Sequence, residues 1–266
     1  MWGHDFRPEY TQLKVFRNSL PEVPFMALTA TADKSARKDI EDQLGLKNSK
    51  LFISSFDRKN LSIEVKGMVP KKQKLQEIKR FIKSKKGEGG IIYCLSRKNT
   101  EEVSAYLEEE GLSVAHYHAG MNSEDREGVQ TSFINDETKI IVATIAFGMG
   151  IDKPNVRWVI HYNLPKNLEG YYQEIGRAGR DGLPADTILY YNMRDFVLYS
   201  QFADNGANSG MQKEKLNRML QFAEAKSCRR KILLSYFGEY LTKDCGNCDV
   251  CSNPPTNFDG TVLAQK

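Results

Sequence analysis

Three segments of this sequence combine residue types and spacings that could do chemistry. The first is a set of four cysteines, Cys228, Cys245, Cys248 and Cys251, in the order C-x16-C-x2-C-x2-C. Four soft thiolates at tetrahedral corners are what a structural zinc ion requires. C-x2-C knuckles, here with Gly246 in the turn, bring sulfurs within reach of one ion. Two rivals stand beside zinc: disulfides, which a reducing compartment disfavours, and an iron–sulfur cluster, which four thiolates also serve. The fifth cysteine, Cys94, sits in the apolar run Gly90-Ile91-Ile92-Tyr93-Cys94-Leu95 and reads as a packed core thiol.

The second segment is Tyr171-Tyr172-Gln173-Glu174-Ile175-Gly176-Arg177-Ala178-Gly179-Arg180-Asp181-Gly182. Gln173, Arg177 and Arg180 fall at i, i+4 and i+7, a spacing that predicts one shared helical face. Gly176 and Gly179 would each cost about 1 kcal/mol relative to Ala in a helix, so stability alone does not select them. They admit a second backbone or a ligand while two guanidinium forks point one way, an arrangement suited to a polyphosphate whose charge grows in a transition state. The plainer alternative, the basic end of a surface helix, gives the glycines no purpose. The third segment runs from Val142 through Thr144, Gly148, Gly150 and Asp152 to Pro154. A strand ends at Ala143 and a Gly-rich loop follows at the carboxyl edge of a sheet, where amides freed by Gly148 and Gly150 can cradle phosphate and Thr144 can add a hydroxyl. On its own such a loop is as often structural.

Those residues need a scaffold, and the hydrophobic pattern supplies one. From about 57 to 192, short apolar runs at 91–94, 113–117, 140–143, 156–161 and 187–191 alternate with amphipathic stretches at 72–85, 98–110, 123–134 and 168–177. Strands rich in Ile and Val between helices predict βαβ units, hence an α/β domain with a parallel sheet covered by helices on both faces. Ser96 reads as an N-cap and Gly111 as a helix stop. Residues 1–56 hold two expected strands (23–28 and 51–54) around a helix at 34–44, too little for an independent sheet; they look like the last piece of another α/β unit. After 192 a polar connection at 203–212 leads into helices at 213–225 and 229–240 and then the cysteine knuckles. Residues 193–258 are therefore expected as a small helical zinc-binding domain, and 259–266 as a fraying tail.

Composition sets the outer bounds. With 266 residues, 40% hydrophobic and 27% charged, the chain reads as an ordinary globular protein with room for about two domains, which argues against disordered and collagen-like classes. No run approaches 18 apolar residues and the N-terminus has no signal-peptide pattern, so no membrane span and an intracellular setting are expected. The net charge of +4 conceals two basic clusters: eight Lys/Arg against Glu77 over 71–86, and seven against Glu214 and Glu224 over 213–231. The first reads as a solvated helix face. The second leads into Cys228, and phosphate contact and solvation weigh equally there.

Taken in order, these segments resemble a known set. The second and third resemble motifs VI and V of superfamily 2 helicases; Ala27-Leu28-Thr29-Ala30-Thr31-Ala32 resembles motif III, and Ile91-Ile92-Tyr93-Cys94-Leu95-Ser96-Arg97 resembles motif IV. Trp2-Gly3-His4-Asp5-Phe6-Arg7-Pro8-Glu9-Tyr10 is similar to the aromatic-rich loop of RecQ DNA helicases. The cysteines, preceded by Phe222-Ala223-Glu224-Ala225 and Cys228-Arg229-Arg230, resemble the RecQ zinc-binding region. The resemblance covers about residues 1–259. It implies two RecA-like lobes with ATP between them, in an enzyme moving 3′ to 5′ on DNA in repair and recombination, in the cytoplasm (with the nucleoid in a bacterium) or the nucleus. By the same resemblance Arg177 and Arg180 form the arginine-finger side and, with Gly150 and Asp152, face the nucleotide; Gln173 and Asp152 couple nucleotide state to DNA; Thr29 and Thr31 sit on the linkage between lobes. Trp2, His4, Phe6 and Arg7 sense single-stranded DNA, the aromatics by stacking. Ser96, Arg97 and Thr144 contact the DNA backbone, His118 and Gly120 line the same track, and Cys228, Cys245, Cys248 and Cys251 hold structural zinc. His116 and His161 read better as packed histidines.

The pattern departs from the family in one respect. Neither G-x-x-x-x-G-K-[ST] nor an Asp-Glu-x-His run occurs in the sequence, although phosphoryl transfer of this type needs the P-loop lysine and a carboxylate for Mg²⁺. The chain is thus expected to be a fragment that needs a missing N-terminal RecA-like lobe to bind ATP and Mg²⁺ and is inactive alone. Its DNA partners would include single strands and duplex junctions. The competing expectation is a non-catalytic, zinc-containing nucleic-acid-binding module using the 213–231 cluster. A third is an RNA or chromatin-remodelling motor of the same superfamily, against which the cysteines and the aromatic loop already count.

Overall fold

Continuous burial along the central strands decides the architecture. In the computed structural model of the chain, which describes residues 12–32, 34–46, 48–148, 151–204 and 209–255, the elements follow as α1 (Leu13–Ser19), α2 (Lys34–Leu44), β1 (Leu61–Gly67), α3 (Lys71–Ser84), β2 (Gly90–Tyr93), α4 (Arg97–Glu109), β3 (Val114–Tyr117) and α5 (Ser123–Ile134). They continue with β4 (Ile140–Ala143), β5 (Trp158–His161), α6 (Leu168–Ile175), β6 (Ala185–Tyr191), α7 (Met193–Asp204), α8 (Ser209–Glu224), α9 (Arg229–Tyr236) and α10 (Asp249–Ser252). The six strands form one sheet in the order β1-β6-β5-β2-β4-β3, every pair parallel. Ile91, Tyr93, Ile141, Ala143, Val159 and Leu189 point to one face, where they pack with Phe133, Leu168, Tyr171 and Ile175. Ile92, Val142, Trp158, Ile160 and Ile188 point to the other and meet Ile78, Ile82, Val103 and Leu107 of α3 and α4. Helices therefore cover both faces, as expected of a parallel sheet.

The first of these cores does not stop at the sheet. It runs on through Leu216, Met219 and Phe222 of α8 and Leu233 of α9 to Cys228, Phe237 and Cys248, so the cysteine-bearing segment packs on the same apolar body. The outer edge of β1 is closed by that segment: Ile63 N–H donates to Asn247 O at 3.3 Å, Asn247 Nδ2 donates to Leu61 O at 3.2 Å, and Val65 N–H donates to the Asp249 carboxylate at 3.3 Å.

Several expected elements fall on their predicted bounds, α2, α5 and β4 among them. Ser96 does cap α4, its hydroxyl accepting from Asn99 N–H at 3.1 Å. Four expectations need correction. Strand β1 was not foreseen, although Leu61-Ser62-Ile63-Glu64-Val65 alternates apolar and polar. Helix α7 has no counterpart among the expected elements, and α8 begins at Ser209, inside the polar connection expected at 203–212. Residues 23–28 and 51–54 form no strand, because a strand needs a neighbour to pair with and none of the six lies beside them. Their side chains stay in the open, with Met26 78%, Leu28 86% and Phe52 87% exposed. Helix α6 ends at Ile175, so Gln173 is helical but Arg177 and Arg180 lie in the turn that follows, and the three do not share a helix face. No helix of the described residues is long and apolar enough to cross a membrane.

Candidate functional site

Parallel strands bring the residues after their carboxyl ends to one edge. Tyr93, Tyr117 and Ala143 are in register across β2, β4 and β3, so the segments beginning at Cys94, His118 and Thr144 lie side by side. Arg97 is exposed there, its guanidinium against the Gly120 backbone, where a side chain would collide with it. Thr144 is half-buried and its hydroxyl accepts a long bond from Ala146 N–H at 3.5 Å. His118 keeps both ring nitrogens within the fold. It is buried, its Nδ1 accepts from Gly120 N–H at 3.2 Å, and its Nε2 therefore carries the proton and donates to Glu101 at 3.0 Å. Its place is inside the turn, shaping it. His116 stacks on it, and His161 is buried against Tyr93 and Tyr171 with Nε2 bonded to Glu174 at 2.7 Å, a packed histidine as expected.

The two arginines meet the Gly-rich loop. Arg177 donates to Gly148 O; Gly148 has φ +132°, and a Cβ there would overlap the Arg177 guanidinium, so glycine is required both by conformation and by space. Arg177 Nε is buried without a partner among the described residues. Beneath it, Tyr93 donates to Phe147 O at 3.2 Å, and burial pushes its phenol far above the ordinary range, so it acts as a neutral donor. Arg180 donates to Ile151 O at 3.1 Å and to the Asp152 carboxylate at 2.6 Å; Asp152 is exposed and Arg180 partly so. The next residue turns inward: Lys153 is buried, 3.0 Å from Asp136 and bonded to Ile134 O, which fastens the loop to the end of α5. Gln173 donates to the Thr31 hydroxyl, so the residues that resemble motifs III and VI touch. Thr29 is exposed. Trp2, His4, Phe6, Arg7 and Gly150 lie outside the described residues.

Behind the arginine turn stands a residue the sequence reading missed. Arg58 donates to Gly176 O (3.3 Å), Ala178 O (3.0 Å) and Gly179 O (2.8 Å), and Asn60 Nδ2 donates to Gly179 O and Leu183 O, both at 2.9 Å. No periodicity or motif in the sequence singles Arg58 out.

The sulfurs of Cys228, Cys245, Cys248 and Cys251 all lie within 4.8 Å of one another, Cys248 and Cys251 at 3.4 Å and Cys245 and Cys251 at 3.8 Å. Tetrahedral zinc with bonds of about 2.3 Å separates its sulfurs by roughly 3.8 Å, so the donor set fits. The fifth thiol, Cys94, is buried in the opposite core and burial pushes it up to about 12.

The basic clusters divide between buried and surface ion pairs. In the second, Arg229 is buried, forked onto Asp249 (3.0 and 3.1 Å) and bonded to Phe222 and Ala223 carbonyls at the end of α8; Arg230 is buried on Asp57 (2.8 Å). Lys215 pairs with the buried Glu169, and Lys213, Arg218 and Lys231 each pair with an acid. In the first cluster Lys74 is buried against Tyr162, and Lys71, Lys79, Lys83 and Lys85 pair with carboxylates.

Two family models match the chain. The family model described as helicase conserved C-terminal domain matches residues 73–182, and the RecQ zinc-binding model matches 193–252. An ATP-dependent DNA helicase RecQ from Pasteurella multocida (strain Pm70) is 47% identical over all of this chain and 42% of its own length. The ATP-dependent DNA helicase hus2/rqh1 of Schizosaccharomyces pombe is 48% identical over 96% of this chain and 20% of its own. The chain thus spans less than half the length of these relatives. Among solved structures, S. cerevisiae Dbp5 bound to RNA and ADP BeF3 superposes with a TM-score of 0.56 at 18% identity, covering 71% of this chain and 54% of that one, a likeness of fold.

Proposed function

The chain belongs to the RecQ helicase family, with a helicase C-terminal domain followed by a RecQ zinc-binding region, and from that premise we propose that it is the arginine-bearing part of an ATP-dependent DNA helicase. Its divisions are a remnant of a first lobe (1–56), a second RecA-like lobe (57–192), a zinc-binding domain (193–258) and a tail (259–266). The observation that carries the reading is the meeting of Arg177 and Arg180 with the loop after β4, at the carboxyl edge of a parallel sheet. ATP and Mg²⁺ are held by a lobe outside this sequence, which has no P-loop. Arg180, bound among the described residues through the exposed Asp152 and one carbonyl, exchanges those partners for the γ-phosphate, while Arg177 stays on Gly148. Gly150 and Asp152 lie beside the nucleotide, and Gln173, through Thr31, joins it to the linkage between lobes. That missing lobe covers the apolar side chains at 23–28 and 51–54.

DNA runs along the edge formed by Ser96, Arg97 and Thr144, with Trp2, His4, Phe6 and Arg7 as the loop that senses a single strand; His118 supports the track from within. Movement is 3′ to 5′ on single strands and duplex junctions, in DNA repair and recombination inside the cell. Cys228, Cys245, Cys248 and Cys251 hold one structural zinc, which supplies folding energy to the cysteine segment and no step of the reaction.

The test is an ATPase assay with single-stranded DNA. The chain alone should show no Mg²⁺-dependent turnover, a protein that also carries the P-loop lobe should show it, and Arg180→Ala should remove it; turnover by the chain alone sinks the reading. Metal analysis should return about one zinc per chain. A non-catalytic nucleic-acid module would have to use the 213–231 cluster, of which Arg229 and Arg230 are buried and Lys215 half-buried in ion pairs, while Lys213, Arg218 and Lys231 pair at the surface.

A further inference from the structure

Helix α6 ends where the arginine turn begins, and a helix C-terminus presents carbonyls that have no partner of their own. Three carbonyls of that region, on Gly176, Ala178 and Gly179, converge on the guanidinium of Arg58, with Asn60 taking Gly179 O a second time. Gly179 has φ +56°, and a Cβ there would stand 2.5 Å from Asn60 Nδ2 and 2.8 Å from Leu183 O, so the turn is shaped to press its backbone onto these two residues. With its carbonyls turned to Arg58, the turn carries Arg177 to Gly148 and Arg180 to Asp152.

Arg58 is itself held from two sides. Phe56 stacks on Phe237 with ring centroids 4.7 Å apart, its N–H donates to Glu239 at 2.7 Å, and its carbonyl accepts from the Tyr172 hydroxyl of α6 at 2.7 Å. Asp57 receives the buried Arg230, which also donates to Arg58 O at 2.5 Å. Residues 56–58 are thus gripped by the helix preceding the arginine turn and by the helix following Cys228.

We propose that Arg58 is a positioning residue for the arginine pair, seating the turn 176–179 so that Arg177 and Arg180 reach the nucleotide, and that the cysteine-bearing segment braces it through Arg230 and Asp57. The inference rests on the reading of Arg177 and Arg180 given above. A planar fork is needed: one guanidinium serves three carbonyls, which the single point charge of lysine does not reproduce.

The test uses the complete helicase polypeptide, with its own P-loop lobe, carrying Arg58→Lys, Arg58→Gln or Asn60→Ala beside an Arg180→Ala control. DNA-stimulated hydrolysis by Arg58→Lys should lose about 10- to 100-fold in kcat, the scale of a misplaced catalytic group, with KM for ATP and zinc content held. Asn60→Ala should lose less, in the same sense. Hydrogen exchange should quicken at amides 176–183 and stay unchanged in β2, β4 and β5. Full kcat in the Arg58 variants while Arg180→Ala is inactive overturns the positioning role. A rise in KM or exchange quickened throughout the sheet also overturns it, since that marks a merely structural residue. If Arg180→Ala keeps its kcat, the arginine reading falls first and this inference with it.

Discussion

Replacing Arg230 by alanine tests the link between the cysteine segment and the sheet, and its size follows from the contacts. The guanidinium donates to Asp57 at 2.8 Å and to Arg58 O and Leu61 O at 2.5 Å, and the Arg230 and Asp57 side chains are only 5% and 8% exposed. The two carbonyls have second donors, Leu61 N–H for Arg58 O and Asn247 Nδ2 for Leu61 O, so neither is orphaned by the truncation. The Asp57 carboxylate accepts from Arg230 alone among the side-chain bonds of the described residues, and it is left buried and uncompensated. Removing one partner of a buried pair costs about 3–5 kcal/mol. At about 2–4 °C per kcal/mol for a protein of this size, the thermal midpoint should fall by roughly 6–20 °C. Thermal unfolding followed by circular dichroism reads this directly. The double variant Arg230→Met with Asp57→Leu should recover most of the loss, because it leaves no bare charge. A drop below about 1 kcal/mol, or a double variant no better than Arg230→Ala, refutes the claim that the pair is buried and mutually dependent.

Gly148→Ala should displace the Arg177 guanidinium and force a left-handed backbone on alanine, at about 1–3 kcal/mol; a melt unchanged from the parent contradicts the geometry. Acid should weaken the fold in a defined sense. Lys153 bonded to Asp136, and Arg157 to Asp181, hold these carboxyls below their ordinary range, so the stability they add is present above about pH 4 and lost as pH falls through their folded values. Asp136→Asn should flatten the fall in midpoint between about pH 5 and 3, and an unaltered slope counts against the pairing. Cys94, raised to about 12 by burial, should resist iodoacetamide at about pH 8 in the folded protein and react once unfolded, with mass spectrometry counting the adducts.

How much was legible beforehand divides along physical lines. Contiguous patterns carried the sheet core: Ile91-Ile92-Tyr93 and Ile140-Ile141-Val142 are apolar on both faces because both faces are covered. Cysteine spacing carried the four-thiol cluster, since ligand geometry limits how such residues can be spaced. Strand β1 is equally written in the alternation of Leu61, Ile63 and Val65 with polar neighbours. What sequence could not convey were bonds between residues far apart. Arg58 reaches a turn more than a hundred positions away, and Arg230 reaches back to Asp57, so charges that read as surface became internal. The helical face assigned to Gln173, Arg177 and Arg180 failed because spacing says nothing about where a helix stops. Here Gly176 ends it and the chain bends onto Arg58.

The closure of β1 by Asn247 and Asp249 has a consequence for how the protein would fail. An edge strand with Ile63 and Val65 N–H groups uncovered is a template for strand addition by another chain. On the zinc reading, chelation or thiol oxidation does more than loosen a peripheral knuckle: it bares unpaired backbone N–H groups on the edge of β1 and invites self-association. Loss of metal should therefore register first as turbidity or a shift to high mass in light scattering, ahead of any loss of helical signal. A zinc requirement observed in a cell would then be a requirement for solubility.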